Sequence, residues 1–389
     1  MIENFPFPTC PMGRPHEAYD RRRAAEPTGR VRLPSGDVVV LTTRHDDAVA
    51  VLSDPRFSRE LFYEGAPRMY EGFSFTDVPG LLISTDPPAH TRLRKLLAGT
   101  FTPRKIELWR PRVRAIATGL LEAAGDEFDF VSSFAFPLPV RVICDILGVE
   151  VDTERVARWS DALLTSSGLS VDDKLLAGME FHAYVAGLVA QHRDDPGDGV
   201  LASLILARDE DDRLSEEELV QQAMGLLLAG YETTGSMLSR IIVRLLDQGW
   251  ERLVERPELI PPAVEELLRV EFPGDSTPIR VALEDVELPS GGVVAKGEGV
   301  IVSYIGANND PSVFDEPGRM RLDREGPVQH LAFSRGIHYC LGANLARMEL
   351  QEALAVLTER APGLGLAGEV PWTDGSQIFR PARVPVRTG

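Results

Sequence analysis

The chain has 389 residues, 43% hydrophobic and 26% charged, the composition of an ordinary globular protein with a sizeable core; this excludes a disordered chain. A formal net charge of −18, from 41 Lys+Arg against 59 Asp+Glu, argues against a nucleic-acid binder, because phosphate binding needs a surplus of basic side chains. No apolar run reaches the roughly eighteen residues of a membrane span, and the start Met1-Ile-Glu-Asn-Phe5 lacks the basic and apolar regions of a signal peptide, so a cytoplasmic protein is expected. Cys10, Cys144 and Cys340 stand far apart with no Cys-x-x-Cys pair, so zinc ribbons and disulfide frameworks lack their ligands. Scattered cysteines of this kind are small buried hydrophobes in a reducing compartment, and two of the three deserve that reading.

In chain order, a segment rich in Pro, Arg and Gly leads to Val31-Arg-Leu-Pro-Ser-Gly-Asp-Val-Val-Val-Leu41, which predicts a hairpin turning at 34–37. From about Asp46 an acidic start and apolar spacing predict a helix. Residues 60–82 read as a loop carrying Phe62, Tyr63, Tyr70, Phe73 and Phe75, and helices dominate 89–268. The clearest starts at Ser215, an N-cap with Glu218 three residues on, and runs without proline to about Asp247, roughly 33 residues or ~50 Å. Apolar nearly all round at 223–229, it should cross the middle of a large core. Strand-like runs follow at 278–283 and 300–304, then an irregular stretch at 310–326, a helix over 343–358 and a strand-rich tail. No repeat or linker interrupts the pattern, which reads as one mainly α domain over 1–389 with a small β region.

The most informative stretch is Phe333-Ser-Arg-Gly-Ile-His-Tyr-Cys-Leu-Gly342, directly before a helix. A cysteine there lies near unpaired N–H groups and the positive end of the helix dipole, which favour thiolate. Gly336 and Gly342 remove side chains where backbone would approach a flat ligand. One thiolate suits a metal that brings its other ligands with it, as haem iron does.

With this motif the chain resembles the soluble bacterial cytochromes P450, the haem-thiolate monooxygenases, over nearly its whole length. The resemblance implies the single-domain cytochrome P450 fold with a long central helix over a haem b. It implies Cys340 as the iron ligand and Phe333 packed beside it, with Gly342 in the same cofactor-binding motif. Ser334 departs from the pattern, standing where the family usually has glycine.

Ala229-Gly-Tyr-Glu-Thr-Thr234 lies mid-way along the long helix. Thr233 is placed to bond back to the carbonyl of Ala229 and open the helix locally, and Gly230 beside it leaves room for a small ligand such as O₂. In isolation the hexapeptide is more often a plain helix with back-bonded threonines. Its similarity to the family's acid–alcohol pair implies that Glu232 and Thr233 relay protons. Glu266 and Arg269, three apart on one helix face, are alone no more than a surface pair. By resemblance they form an ion-pair network that holds the cysteine loop, closed by Arg319 of Glu316-Pro-Gly-Arg-Met320. His90 and Arg94 share a face of the helix that starts at Asp86-Pro-Pro. A haem's propionates demand such partners, and the resemblance implies His90, Arg94, Arg280 and His338, with Arg92 and Lys95 left as surface charges.

The chain has no Gly-rich dinucleotide fingerprint and no iron–sulfur cysteine cluster, so electrons are expected from NAD(P)H through a separate ferredoxin and ferredoxin reductase. An acidic enzyme needs a local basic patch to dock an acidic ferredoxin, and Arg104, Lys105, Arg335 and Arg347 are the candidates. The resemblance implies a monomer that hydroxylates, epoxidises or oxidatively couples a small hydrophobic natural product of secondary metabolism. Its walls would come from the 60–82 loop, the 224–228 face, residues 165–172, Ile279, Ile378 and Phe379. The loop's aromatics favour an aromatic substrate, or else pack the loop on itself. Two other classes remain: a haem-thiolate catalyst that inserts no oxygen, by radical coupling or with peroxide, and a haem-binding sensor.

Overall fold

The structure, a computed structural model, describes residues 2–7, 17–165, 168–194, 197–209, 214–324, 326, 328–373 and 378–389. The chain gathers into two units, Met1–Asp77 with Pro261–Cys340, and Val78–Ile260 with Leu341–Gly389.

The first unit is built on a six-stranded sheet ordered Glu3–Asn4, Arg30–Arg32, Val38–Thr42, Gly299–Val302, Arg280–Ala282, Phe57–Ser58. The expected hairpin is the antiparallel pair of Arg30–Arg32 and Val38–Thr42, with Arg30 opposite Val40. Gly299–Val302 lies parallel to its second strand, Val40 opposite Val300. Both central strands are buried on two faces, and the period of two divides them. Val40, Val300 and Val302 join one core with Ala48, Val51 and Leu52 of the helix His45–Ser53. Val39, Leu41 and Ile301 join another with Phe5, Phe7 and Tyr19. The strand expected over 300–304 stops at Val302, because Ser303 caps a short helix, Tyr304–Asn308, accepting the Gly306 amide at 2.9 Å.

The second unit is helical around Glu216–Asp247, with the predicted capping box in place: Ser215 Oγ accepts the Glu218 amide at 3.1 Å and Glu218 accepts the Ser215 amide at 2.8 Å. This long helix crosses Pro137–Leu147 and Val171–Asp194, and Ala343–Arg360, expected over 343–358, packs on Arg110–Ala124. Arg110 and Arg114 both reach Glu352 across that last pair, at 2.8 and 3.2 Å. The helical reading of 89–268 misses a short strand, Glu127–Asp129, which exists only because the C-terminal strand Pro385–Arg387 pairs with it and with Gly365–Leu366. Among the described residues, no helix is long and apolar enough to cross a membrane.

Candidate active site

The cysteine segment hangs from the core of the first unit. Leu331, Ala332 and Phe333 are buried, and the chain then turns through two left-handed residues, Ser334 at φ 60° and Gly336 at φ 68°. A Cβ on Gly336 would lie 2.4 Å from the Leu52 carbonyl at the end of the helix His45–Ser53. Glycine is therefore required there by the turn and by that close approach, not by a flat ligand as expected. The turn Gly336–His338 follows, and the Cys340 amide donates to the Phe333 carbonyl at 2.9 Å, closing the loop with Cys340 exposed. Phe333 is thus beside Cys340 through its backbone, while its ring lies 5.9 Å from that of His330 and 6.5 Å from that of Tyr339. His338 is half-buried with Nε2 inside, and Arg280 is buried on its strand, donating to the Phe57 carbonyl at 3.4 Å.

Glu266 and Arg269 form a fully buried bidentate pair at 2.7 and 2.9 Å, far from the solvated contact their spacing alone would give. The arginine that closes the network is Arg324, whose Nε and Nη2 donate to Glu266 at 2.8 and 3.1 Å. Arg319 does not: its side chain is 70% exposed against 10% for Arg324 and pairs with Glu316. It contributes only its carbonyl, to Arg269 and Arg324 at 3.4 Å, because the turn through Pro317 and Gly318 points its side chain outward. Burial opposes ionisation of Glu266, but the hydrogen bonds from Arg269 and Arg324 win and hold its carboxyl below the usual range. Arg269 also donates to the Asn308 carbonyl at 2.8 Å, and Asn308 Oδ1 accepts the Leu331 amide at 2.8 Å. The network therefore reaches the first residues of the cysteine segment.

In the second unit, Thr233 Oγ1 donates to the Ala229 carbonyl at 2.8 Å, as its position predicts. The helix nevertheless runs unbroken from Glu216 to Asp247, since a carbonyl oxygen has two lone pairs and accepts the hydroxyl without giving up the helix. Gly230 does not open space for a small molecule either. A Cβ there would meet Ile143 side-chain atoms at 2.9–3.1 Å, so the glycine lets the long helix close on Pro137–Leu147. Ala229 and Thr233 are exposed in the middle of this otherwise buried helix.

Glu232 points elsewhere. It is 1% exposed, and three donors converge on its carboxylate: Ser160 Oγ at 3.0 Å, Ser236 Oγ at 2.9 Å and Arg380 Nε at 3.2 Å. The Arg380 guanidinium lies 4.6 Å over the Phe136 ring, which packs edge-on to Tyr231. Ser236, four residues on along the helix, was open to inference from spacing; Ser160 and Arg380 carry no local signal.

His90 is buried and Arg94 half-buried on the helix Ala89–Ala98, while Arg92 pairs with Glu218 and Lys95 is exposed. A Cβ on Gly342 would meet nothing within 4 Å, and helix Ala343–Arg360 starts at the next residue. Of the proposed walls, Met224, Leu227 and Leu228 are buried in the long helix, Ile279 is buried, and Phe379 stacks on Trp372 at 4.9 Å. In the 60–82 loop Phe75 is buried, whereas Phe62 and Tyr63 are exposed. Residues 166–167 of the 165–172 wall, and Cys10, lie outside the described residues. Cys144 is buried and its thiol is pushed up to about 12 by desolvation, the inert cysteine expected.

The chemistry of these residues suits a haem. In the first unit Cys340 offers one exposed thiol, which suits a metal that brings its other ligands with it, and Arg280 and His338 carry N–H groups of the kind that propionates need. In the second unit His90 and Arg94 carry groups of the same kind. The family profile described as Cytochrome P450 matches residues 253–360. The mycinamicin IV hydroxylase/epoxidase of Micromonospora griseorubida is 42% identical over 381 residues, covering 95% of this chain and 94% of that protein. The nocardicin C N-oxygenase of Nocardia uniformis subsp. tsuyamanensis is 42% identical over 394 residues, 97% of each. Among solved structures, a crystal structure of HinD with NMFT and NO superposes with a TM-score of 0.93 at 41% identity, covering 100% of this chain and 99% of that one.

Proposed function

This chain belongs to the cytochrome P450 family and is an oxidoreductase of the monooxygenase class, and from that premise we propose that it inserts oxygen into a small hydrophobic natural product. Hydroxylation and epoxidation are the favoured outcomes, and the names of the relatives, a hydroxylase/epoxidase and an N-oxygenase, support oxygen insertion over radical coupling. The observation that carries the reading is the exposed thiol of Cys340, on a loop closed by its own amide and braced through Asn308 by a buried ion-pair network. The reduced protein with carbon monoxide is expected to show a Soret band shifted strongly to the red, lost in Cys340→Ser. An unshifted band in the unmodified protein overturns thiolate ligation.

The haem, when bound, supplies O₂ activation, with thiolate donation from Cys340 favouring O–O cleavage. His90, Arg94, Arg280 and His338 would hold its propionates, with Phe333 and Gly342 in the cysteine motif. Thr233 has committed its hydroxyl proton to Ala229, so its oxygen is left to accept a hydrogen bond and the proton must come from a neighbour. Glu232 is that neighbour in sequence, and to pass a proton it must give up one of its three contacts; the one to Arg380 is the longest. A haem sensor needs no such acid, which counts against that reading.

Electrons would come from NAD(P)H by way of a separate ferredoxin and its reductase. Arg104 and Lys105 are exposed on the short helix Pro103–Glu107 and Arg335 is exposed in the cysteine loop, as a docking patch requires, whereas Arg347 is half-buried. Charge reversal at Arg104 and Lys105 is expected to slow ferredoxin-dependent reduction about tenfold at low salt and to flatten its salt dependence. Stopped-flow rates over a salt series check this, and an unchanged salt slope removes both residues from the patch.

A further inference from the structure

The chain that leads into the cysteine loop is tied down at successive residues. His45 Nε2 donates to the Gln329 carbonyl at 2.9 Å, and the Leu331 amide donates to Asn308 Oδ1 at 2.8 Å. Between them stands His330, whose side chain is only 2% exposed, so its ring nitrogens need partners within the protein. The Ala332 amide donates to Nδ1 at 3.2 Å, and Nε2 lies 3.2 Å from Glu265 Oε2. Together these contacts fix the tautomer. A backbone N–H only donates, so Nδ1 presents its lone pair, the ring proton sits on Nε2, and Nε2 donates to Glu265. Glu265 and Glu266 are neighbours on the helix Ile260–Val270. Glu266 reaches the Leu331 amide by way of Arg269 and Asn308, and Glu265 reaches the Ala332 amide by way of His330.

We propose that His330 is a positioning residue for the cysteine segment: Glu265 holds its ring proton on Nε2, which leaves Nδ1 to fasten the Ala332 amide. One helix thus braces two successive amides through two adjacent glutamates, just ahead of the left-handed turn at Ser334 that leads to Cys340. The purpose of this brace rests on the haem-thiolate reading, but its bonds and their test do not.

Two replacements of the ring separate its two bonds. Asparagine places Oδ1 where Nδ1 stands and accepts the amide two residues on, a bond it makes in turns. Glutamine places its amide where Nε2 stands, keeping a donor for Glu265 but no acceptor near Ala332. In the purified full-length protein, His330→Gln is expected to speed amide hydrogen exchange at Ala332 about tenfold, the scale of one lost hydrogen bond. His330→Asn should stay within about threefold of the original rate, and Glu265→Ala, which frees the ring, should raise it about threefold. The Val302 amide, held by Thr277 Oγ1 in the same unit, should change in none of them. Nitrogen NMR of the unmodified protein with labelled histidines should find His330 protonated at Nε2. With haem loaded, the fraction of reduced–CO complex carrying the red-shifted band should fall in His330→Gln and recover in His330→Asn. Unchanged exchange at Ala332 in His330→Gln overturns the proposal, as does an equal rise in His330→Asn. A rise at Val302 matching that at Ala332 overturns it too, since His330 would then be a general core residue. An unchanged rate in Glu265→Ala removes Glu265 from the brace. If the His330 variants do not fold, a ring protonated at Nδ1 in the unmodified protein still overturns it. Absence of the red-shifted band from the unmodified protein counts against the haem reading alone.

Discussion

Glu266→Gln is expected to destabilise the protein by about 3–5 kcal/mol, because it leaves the buried charges of Arg269 and Arg324 without their counter-ion. The pair at its centre has no solvent contact, so little of the effect is screened by salt. Two further variants separate the observed network from the one the motif implied. Arg324→Met removes two hydrogen bonds to Glu266 and should cost about 2–4 kcal/mol, whereas Arg319→Met, whose side chain reaches only Glu316, should stay within about 0.5 kcal/mol. Denaturant midpoints measure all three. Equal losses at the two arginines would contradict the geometry.

The same carboxylate makes a prediction about acid. Glu266 titrates lower in the folded chain than the unfolded glutamate value of about 4.3, so its contribution is fully present above that value. It is lost as pH falls through the folded pKa, below the ordinary range. Stability should therefore drop with acid below about pH 4, and Glu266→Gln should remove part of that slope while lowering the plateau at neutral pH. The loop that Asn308 ties to this network should lose haem along with it, visible as a falling ratio of haem to protein absorbance.

Glu232→Gln and Thr233→Ala are each expected to lower O₂-dependent product formation about a hundredfold, the modest end of what a positioned proton donor contributes. Glutamine keeps the size of the side chain and one acceptor for Ser160, Ser236 or Arg380, but it has no exchangeable acid proton to pass on. Alanine at 233 removes the hydroxyl oxygen that the back bond to Ala229 leaves free to accept. Neither residue belongs to the cysteine motif at 333–342, so the reduced–CO band should be unaltered, which distinguishes lost proton delivery from lost ligation. Turnover undiminished in both variants, with redox partners supplied, would remove the pair from the reaction. A loss in Thr233→Ala alone would leave the alcohol and retire the acid.

Much of this protein was legible in local pattern. The hairpin at 31–41 follows from β-branched alternation around a Pro-Ser-Gly-Asp turn, and the long helix from a capping box that satisfies its own first amides. The motif at 333–342 singles out Cys340 as the proposed ligand because a thiolate ligand is one residue, nameable without knowing its neighbours. What failed were inferences about which residues meet across the chain. Gly230 reads as an opening until Ile143 appears against it, and Arg319 as the closing arginine until Arg324 takes that place. The pairing of Glu232 with Arg380, 148 residues on, has no local signal at all.

By itself, then, the sequence determined the helical architecture and the family, and it singled out the cysteine proposed as the iron ligand, because periodicity, capping and a contiguous motif act over a few neighbouring positions. Only the tertiary structure decided which charges are buried together and which glycine is a crossing point. Those outcomes depend on burial and on donor–acceptor distances between segments far apart in the chain, to which no local spacing is sensitive.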